Sequence, residues 1–287
     1  MARGSRQLGF TLIELVVAMT ISIIVVAFVA VFISTPVQGF TDQARRMKLV
    51  DAADTALRRM GRDVRRALPN SVRTTVNGSV VALELLSTVD GARYRDTPPG
   101  GAATRLDFSA ADSSFNLIGP LTQVVKPFSS ISHYLAIYNV GVPGADAYEL
   151  DKVITPVGTQ IDVSVDALPG EDRVTLTPGF RFGFESPTQR VFLVDGPVTY
   201  LCDPIGRTLT RYSGYTIASN QAARDSAGEL LGAGASASLM ADRVTGCVMS
   251  YAPGTAERAG LVSIELGIGE QGETISLLAQ VHVDNVP

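Results

Sequence analysis

The sequence predicts an α+β protein in which one long N-terminal helix packs on an antiparallel β-sheet domain. The first half of the helix is predicted to span a membrane and the second half to be amphipathic. Three features indicate this fold. Residues Leu15 to Thr41 carry no charge, and apolar residues then recur every three or four positions as far as Leu68. After Pro69, short β-rich runs are separated by glycine, proline, asparagine and aspartate.

Composition and charge restrict the class of protein. The 287 residues suffice for one large domain or two small ones beside a membrane anchor, and 46% are hydrophobic while 18% are charged. The net charge is -4, yet the stretch from Gln38 to Leu68 holds eight basic residues and four acidic ones. The basic charge therefore lies on one helix and the rest of the chain is acidic. A nucleic-acid-binding domain would carry its basic surface on the folded domain, so we expect no nucleic-acid partner.

An apolar stretch near the N-terminus predicts the membrane span. Leu15 to Ile33 has about the length that crosses a bilayer as a helix. A secretory signal peptide would have a shorter apolar core and a small-x-small cleavage site, which residues Ser34 to Gly39 do not offer. An ordinary signal anchor, with Glu14 near the membrane surface, is the simpler alternative. The positive-inside rule leaves the orientation open, because basic residues flank both ends of the span: Arg3, Arg6, Arg45, Arg46 and Lys48.

The helical pattern resumes beyond Pro36 and Gly39, where a proline kink is expected. Pro69 ends it at Leu68, since the residue before a proline is disfavoured in the helical region. The stripe predicted to be buried comprises Phe40, Ala44, Met47, Val50, Ala53, Leu57, Met60, Val64 and Leu68. The other faces carry Arg45, Arg46, Arg58, Arg59, Arg62, Arg65 and Arg66.

The part after Pro69 is predicted to be a β-rich domain, with its most regular pattern at the C-terminal end. A hairpin is expected around Asp203-Pro204-Ile205-Gly206, and a loop with a short helix over Ala222 to Met240. The predicted strands are Ser79–Leu86, Arg105–Phe108, Tyr134–Asn139, Arg173–Thr177, Val191–Val194, Val198–Cys202, Thr208–Tyr212, Val244–Tyr251, Leu261–Ile268 and Thr274–Val283.

The chain contains two cysteines, Cys202 and Cys247. In an exported domain a disulfide between them is expected, whereas in a cytosolic domain they would be two buried thiols. The disulfide would close a loop of about 45 residues, for which the chain-entropy model gives about 4 kcal/mol. With only His133 and His282 as further ligands of the kind zinc prefers, we expect neither a metal site nor another cofactor.

Two other patterns have a simpler structural explanation. Gly267 to Gly272 matches G-x-G-x-x-G, but it lies between two predicted strands, whereas a dinucleotide fingerprint opens a helix. We interpret it as a hairpin turn. The acidic stretch from Asp162 to Asp172 could bind calcium, but it lacks the regular spacing of a calcium loop, which favours a solvated loop. No nucleophile elbow, zinc-binding helix motif or phosphate loop is present, so an enzyme is not expected.

The N-terminal stretch Gly9-Phe10-Thr11-Leu12-Ile13-Glu14 resembles the processing site of type IV prepilins and type II secretion pseudopilins. The resemblance implies cleavage after Gly9, N-methylation of Phe10, and a contact between Glu14 and the N-terminal amine of a neighbouring subunit. It also implies a pilin-like fold in four segments. These are a leader (1–9), the transmembrane half of the helix (10–35), its amphipathic half (36–68) and a periplasmic or extracellular β-rich domain (69–287).

The resemblance implies partners and a location as well. The partners would be prepilin peptidase, other pilins and minor pilins, the inner-membrane assembly platform and membrane lipid. The protein would be a single-pass inner-membrane precursor with its C-terminal domain in the periplasm, and later part of a pilus on the cell surface.

A closer resemblance, to the MshO group of pilin-like MSHA biogenesis proteins, implies a minor subunit that assembles or primes a type IV pilus. It rests on Phe40 with Ala44-Arg45-Arg46, Leu57-Arg58-Arg59-Met60, Asp63-Val64-Arg65, Arg66 to Arg73, Tyr200-Leu201-Cys202, Leu209 to Tyr212, Gly246-Cys247 with Tyr251, and Gln280 to Pro287.

The sequence is also compatible with three other functions. A type II secretion pseudopilin would be the corresponding structural subunit of a filament that acts as a piston in the periplasm. A membrane-anchored adhesin or binding module would present a concave or aromatic-lined face on the sheet domain. An anchored periplasmic enzyme would need a catalytic constellation that the sequence does not single out.

Overall fold

A computed structural model shows how the chain is built. It describes residues 9–97, 104–254 and 259–283, with the backbone alone for residues 33–38. The chain divides into two compact units, residues 1–50 and 51–287. Most of the predicted leader (residues 1–8) and the end of the MshO-like C-terminal stretch (residues 284–287) lie outside the described residues.

The long helix, α1, runs without interruption over Leu12–Arg65, which is 54 residues, and it contributes to both units. Its first part, Leu12–Phe32, is 21 residues long and apolar enough to cross a membrane, in keeping with the about 20 residues that a spanning helix needs. The side chains of this part are exposed in the isolated chain. The structure thus contains the predicted apolar N-terminal helix.

From residue 51 onward, α1 belongs to the second unit, and there one face is buried. The buried apolar residues on this face are Ala53, Ala56, Leu57, Met60 and Val64. The predicted stripe is wrong in its first part, because Phe40 and Met47 are 73% and 71% exposed. A helical period shows which face is apolar, but it does not show where along that face a covering partner begins.

The described residues after α1 form thirteen strands. These are β1 (Arg73–Asn77), β2 (Val80–Tyr94), β3 (Asp112–Ile118), β4 (Phe128–Ser130), β5 (Tyr134–Ala136), β6 (Gln160–Val165), β7 (Glu171–Phe180), β8 (Arg190–Asp203), β9 (Thr208–Ser213), β10 (Ser236–Asp242), β11 (Val244–Ala252), β12 (Gly260–Glu270) and β13 (Glu273–Val283). A short helix, α2 (Ala227–Gly232), precedes β10, and 3-10 helices occupy Ala147–Glu149 and Gln221–Ala223.

Two antiparallel sheets result. The larger has ten strands in the order β10-β9-β8-β2-β3-β7-β6-β4, with β1 beside β2 and β5 beside β8. Its longest pairing joins β2 to β8, from Val81 opposite Cys202 to Arg93 opposite Arg190. The smaller sheet has the order β11-β12-β13. The α+β architecture with an antiparallel sheet domain, predicted from the sequence, is therefore confirmed.

The helix ends at Arg65 and not at Leu68 as predicted. The backbone N of Thr88 donates to the carbonyl of Arg66 at 2.9 Å, and the backbone N of Leu68 donates to the carbonyl of Leu86 at 2.8 Å. Because residues 66–68 pair with β2, their backbone is unavailable for a further helical turn. Leu68 is nevertheless buried, as the apolar pattern predicted.

Several strands differ from their predicted extents. Arg105–Phe108 is not a strand. The backbone N of Leu106 donates to the carbonyl of Arg95, and the backbone N of Asp107 donates to the side chain of Asp112, so these two donors do not form a continuous ladder with a neighbouring strand. The strand predicted at Tyr134–Asn139 ends at Ala136. Strands β1, β3, β4, β6 and β10 were not predicted.

The C-terminal meander was predicted closely. Its inward-facing residues in β12, Val262, Ile264, Leu266 and Ile268, are buried. Gly267 and Gly269 lie within β12, and the turn to β13 is Gln271-Gly272. Gly272 has φ +84°, a conformation that glycine adopts without steric cost. The interpretation of the G-x-G-x-x-G match as a hairpin is confirmed.

A polar contact fastens the second half of α1 to the larger sheet. Oδ2 of Asp63 accepts a hydrogen bond from the Tyr200 hydroxyl at 2.8 Å and one from Nε of Arg211 at 2.8 Å. Tyr200 lies on β8 and Arg211 on β9. Burial raises the pKa of Tyr200, and the neighbouring Asp63 carboxylate raises it further. The phenol therefore stays a hydrogen-bond donor.

Candidate processing and assembly site

The predicted processing site lies in a non-helical segment just before α1. Gly9 and Phe10 precede the first helical residue, Leu12, and both are exposed, with 78% of Phe10 accessible. A Cβ added at Gly9 would meet no atom within 4 Å. The fold therefore does not itself require a glycine at position 9, and an external protein could approach this backbone.

Glu14 takes part in a reciprocal cap at the start of α1. The backbone N of Glu14 donates to Oγ1 of Thr11 at 3.3 Å, and the backbone N of Thr11 donates to Oε2 of Glu14 at 3.5 Å. This is a capping box, which satisfies two backbone donors that a helix N-terminus otherwise leaves unpaired. The sequence carries its signature, Thr11-x-x-Glu14, so this cap could have been predicted from the sequence.

The cap leaves part of the Glu14 carboxylate available. Both hydrogen bonds from Thr11, through its backbone N and its hydroxyl, go to Oε2. Within the part of the chain that the structure describes, Oε1 receives none of these bonds, and the side chain is exposed. An ionised carboxylate offers about four lone-pair positions. One chain can therefore keep the cap and still present a negative oxygen to a second partner.

The two cysteines lie on different sheets and face each other. Cys202 is on β8 and Cys247 on β11, with Cα atoms 6.5 Å apart and sulfur atoms within bonding distance. The Cα separation lies within the usual range for disulfides, about 4.4–6.8 Å. A disulfide here would tie the smaller sheet to a central strand of the larger one. Its oxidation in the cell stays a prediction.

The solvated loop predicted for the acidic stretch is wrong, because Asp162 lies on β6 and Glu171 and Asp172 are buried on β7. Glu171 and Asp172 are paired with side-chain cations. Arg95 forms a two-armed ion pair with Glu171, with Nε 3.2 Å from Oε2, and this hydrogen bonding lowers the pKa of Glu171. Nζ of Lys126 lies 2.8 Å from both oxygens of Asp172. Among the described residues no group of three or more histidine, cysteine, aspartate or glutamate side chains is arranged to hold a metal.

A buried ionic cluster in the larger sheet was not found from the sequence. Nε of Arg73 donates to Glu84 at 2.8 Å, and the Tyr215 hydroxyl donates to the other Glu84 oxygen at 3.1 Å. Burial raises the pKa of Glu84, against the lowering effect of Arg73. Arg73 also donates to the carbonyls of Ala218 and Ser219. All three guanidinium nitrogens of Arg73 are thus engaged within the fold. The cluster therefore positions the loop after β9 and offers no open binding site.

Comparison with known proteins bears on the N-terminus alone. Residues 4–30 match the family model of the prokaryotic N-terminal methylation motif, a stretch that contains Gly9, Phe10 and Glu14. Comparisons with curated proteins and with solved structures give no match. The matched motif is the substrate signal of prepilin peptidase. Together with the apolar helix Leu12–Phe32, the one candidate span among the described residues, it fits an inner-membrane anchored protein. The motif indicates that this chain is a type IV pilin-like or pseudopilin-type protein with a prepilin-type N-terminus.

Proposed function

We propose that this protein is a minor pilin-like structural subunit that assembles or primes a type IV pilus of the MSHA type. The observation that carries the proposal is the position of the methylation motif at the head of one unbroken 54-residue helix. Such a helix suits a subunit that is anchored in the membrane before assembly and packed through the same helix afterwards.

The proposed pathway begins with cleavage of the Gly9–Phe10 bond by prepilin peptidase. The exposure of Gly9 and its position outside the helix support this step. Cleavage leaves Phe10 with an N-terminal amine, which is then methylated. The periplasm receives the β-rich domain, where a Cys202–Cys247 disulfide forms because that compartment is oxidising.

Glu14 would set the register between subunits. A carboxylate is costly in hydrocarbon and is expected to have a partner there. Pairing with the Phe10 amine of a neighbour would neutralise two charges at once, which avoids the cost of leaving one charge buried alone. The uncapped oxygen of Glu14 supports this role, because the intrachain cap with Thr11 need not be broken.

Exposed apolar side chains on α1 support assembly through the helix. Phe40 and Met47 are largely accessible in the isolated chain, as are most side chains of Leu12–Phe32. Single exposed apolar residues are ordinary, but a continuous apolar surface of this length marks a membrane or protein contact. Lipid would cover it before assembly, and the helices of neighbouring subunits would cover it afterwards.

A minor subunit is favoured over a bulk fibre subunit by the large β-rich domain and by the similarity to the MshO group at Leu57-Arg58-Arg59-Met60 and Arg66 to Arg73. The alternative is a type II secretion pseudopilin, which would share the motif and the helix. The resemblance to the MshO group favours a pilus subunit, whereas the N-terminal methylation motif is compatible with a pilus subunit and with a pseudopilin.

Filaments sheared from intact cells test the assignment. We expect the mature protein in the sheared pilus fraction, in small amounts relative to the major subunit. Cells that lack prepilin peptidase should retain it in the membrane as a precursor. Its absence from sheared pili, combined with loss of protein secretion when it is deleted, would assign it to a type II secretion system instead.

A further inference from the structure

Strand β13 forms one edge of the smaller sheet and lacks the features that usually protect such an edge. Within the described residues it pairs with β12 alone, in continuous register without a bulge. Its 11 residues include no proline, lysine or arginine, and its one acidic residue, Glu273, stands at its start. A sheet edge presents unpaired N–H and C=O groups, which proteins normally blunt with charges, prolines or bulges. This edge is open to a further strand.

A groove of about 430 Å³ runs along this edge, between β13 and the second half of α1. It is lined by residues 277–281 of the strand and by residues of the helix from Asp54 to Arg65. Its floor is apolar, since Leu57 and Val281 are buried. A methyl group added at Gly61 would lie 3.4 Å from Cγ2 of Val281, so helix and strand approach closely beneath the groove.

The helix side of the groove is basic. Arg58, Arg62 and Arg65 line it and are exposed. Arg58 is paired with Asp54 at 2.7 Å, whereas Arg62 and Arg65 form no ion pair within the described part of the chain. Arg58 and Arg62 are separated by about 6 Å along the helix axis. This is close to the spacing of about 6.7 Å between alternate residues of a strand.

We propose that this groove is a docking site for an extended acidic segment of a partner protein, which adds to β13 as a further strand. Backbone hydrogen bonds to the open edge would supply affinity, as in other cases of strand addition. Carboxylates at alternate positions of the segment would face the arginines of α1 and supply specificity. The proposal rests on the groove and the edge and does not depend on the pilus assignment.

The test uses the full chain in detergent micelles and a fluorescent, end-capped peptide in which valine alternates with glutamate. We expect saturable binding in fluorescence anisotropy with a Kd below about 1 mM. Hydrogen exchange should show new protection of the β13 amides and no new protection in β11. A matched peptide with lysine in place of glutamate should bind at least about threefold more weakly.

Matched variants locate the site. Arg62→Gln should weaken binding about threefold, whereas Arg59→Gln, on the same helix but outside the groove, should not. Leu278→Glu should prevent binding, while Val248→Glu should leave it intact. Val248, Glu265 and Leu278 form one cross-strand row, and the two substituted side chains are similarly exposed, 60% and 65%. Both variants add the same charge to opposite edges of one sheet.

Several results would overturn the proposal. They are failure of the peptide to bind, binding without protection of β13, equal loss in Arg59→Gln and Arg62→Gln, and equal affinity of the lysine peptide. Protection of β13 that rises with protein concentration in the absence of peptide would assign the edge to a second copy of the chain, and would also contradict the acidic-segment proposal.

Discussion

The backbone N of Glu14 lies 3.3 Å from Oγ1 of Thr11, and the backbone N of Thr11 lies 3.5 Å from Oε2 of Glu14. The residue proposed to contact a neighbouring subunit thus also caps its own helix. The two roles differ in what they need. A cap needs a hydrogen-bond acceptor at position 14, whereas pairing with an amine needs a negative charge.

Glu14→Gln separates these roles, because glutamine can cap the helix but carries no charge. We expect the Glu14→Gln variant to be cleaved normally but incorporated into pili much less than wild type, at a level close to that of Glu14→Val. Quantitative immunoblots of sheared filaments measure this.

Thr11→Val is the matched control, since it removes the hydroxyl of the cap and leaves the carboxylate. It should incorporate nearly as well as wild type, although loss of an N-cap hydroxyl costs a helix about 1 kcal/mol. Normal assembly of Glu14→Gln would show that the charge of Glu14 has no role between subunits.

The contact of Asp63 with Tyr200 and Arg211 should contribute substantially to the stability of the second unit. Asp63→Ala leaves a tyrosine hydroxyl and a guanidinium in a largely buried place without their shared acceptor. We expect a loss of about 2 kcal/mol in the free energy of unfolding, measured by urea unfolding of the full chain in detergent.

Asp54→Ala provides the control on the same helix. Its ion pair with Arg58 is largely exposed, and exposed pairs contribute less than about 1 kcal/mol. Equal losses in the two variants would contradict the view that Asp63 fastens the helix to the sheet.

The Cys202–Cys247 pair should be oxidised in protein isolated from the envelope. Alkylation without reduction should leave both thiols unlabelled in intact-mass spectra. The Cys202→Ser, Cys247→Ser double variant should lose about 2–4 kcal/mol of stability. Reduced wild-type protein should show a similar loss, because both lack the same cross-link. Two free thiols in protein purified under non-reducing conditions would contradict the disulfide.

The pH dependence of stability should contain a contribution from Glu171. Its pKa is lowered in the folded protein, chiefly by hydrogen bonding to Arg95, so the folded state binds fewer protons here than the unfolded chain. The contribution is present above the ordinary carboxyl pKa and is lost as the pH falls through the lower, folded pKa.

Glu171→Gln should therefore reduce stability near neutral pH and make the loss of stability on acidification less steep. Unfolding curves at a series of pH values measure both effects. Glu265→Gln, which removes an exposed carboxylate on β12, is the control. An unchanged slope in Glu171→Gln would mean that the ion pair with Arg95 does not couple to folding.

The features predicted well from the sequence are those that depend on local pattern. The uncharged run, the helical period and the hairpin around Gly272 each involve residues that are close together in the chain. Each can therefore be predicted from a short stretch of sequence. Gly9, Phe10 and Glu14 likewise belong to a short motif, which the family model matches, and their roles in processing and assembly stay predictions. The capping box between Thr11 and Glu14 could have been recognised in the same way.

The features that were missed depend on distant residues. Strand β10, Ser236–Asp242, is mostly exposed and rich in serine and alanine, and it becomes a strand because β9 offers it a pairing edge. Strand β3 begins with polar residues, Asp112, Ser113 and Ser114. The Arg73–Glu84–Tyr215 cluster joins residues far apart in sequence, and residue type alone does not reveal such partners. Likewise, the apolar period of α1 could not show that Phe40 is exposed, because burial depends on residues that are distant in the sequence.

The N-terminal mass of the mature protein, isolated from cells that contain prepilin peptidase, tests the central claim most directly. We expect a chain that begins at Phe10 and carries one methyl group on its amine. Gly9→Val, which the open surroundings of Gly9 should accommodate in the fold, should retain Met1 and serve as the unprocessed reference. A wild-type chain that still begins at Met1, or that is cleaved beyond Glu14, would contradict processing by prepilin peptidase after Gly9.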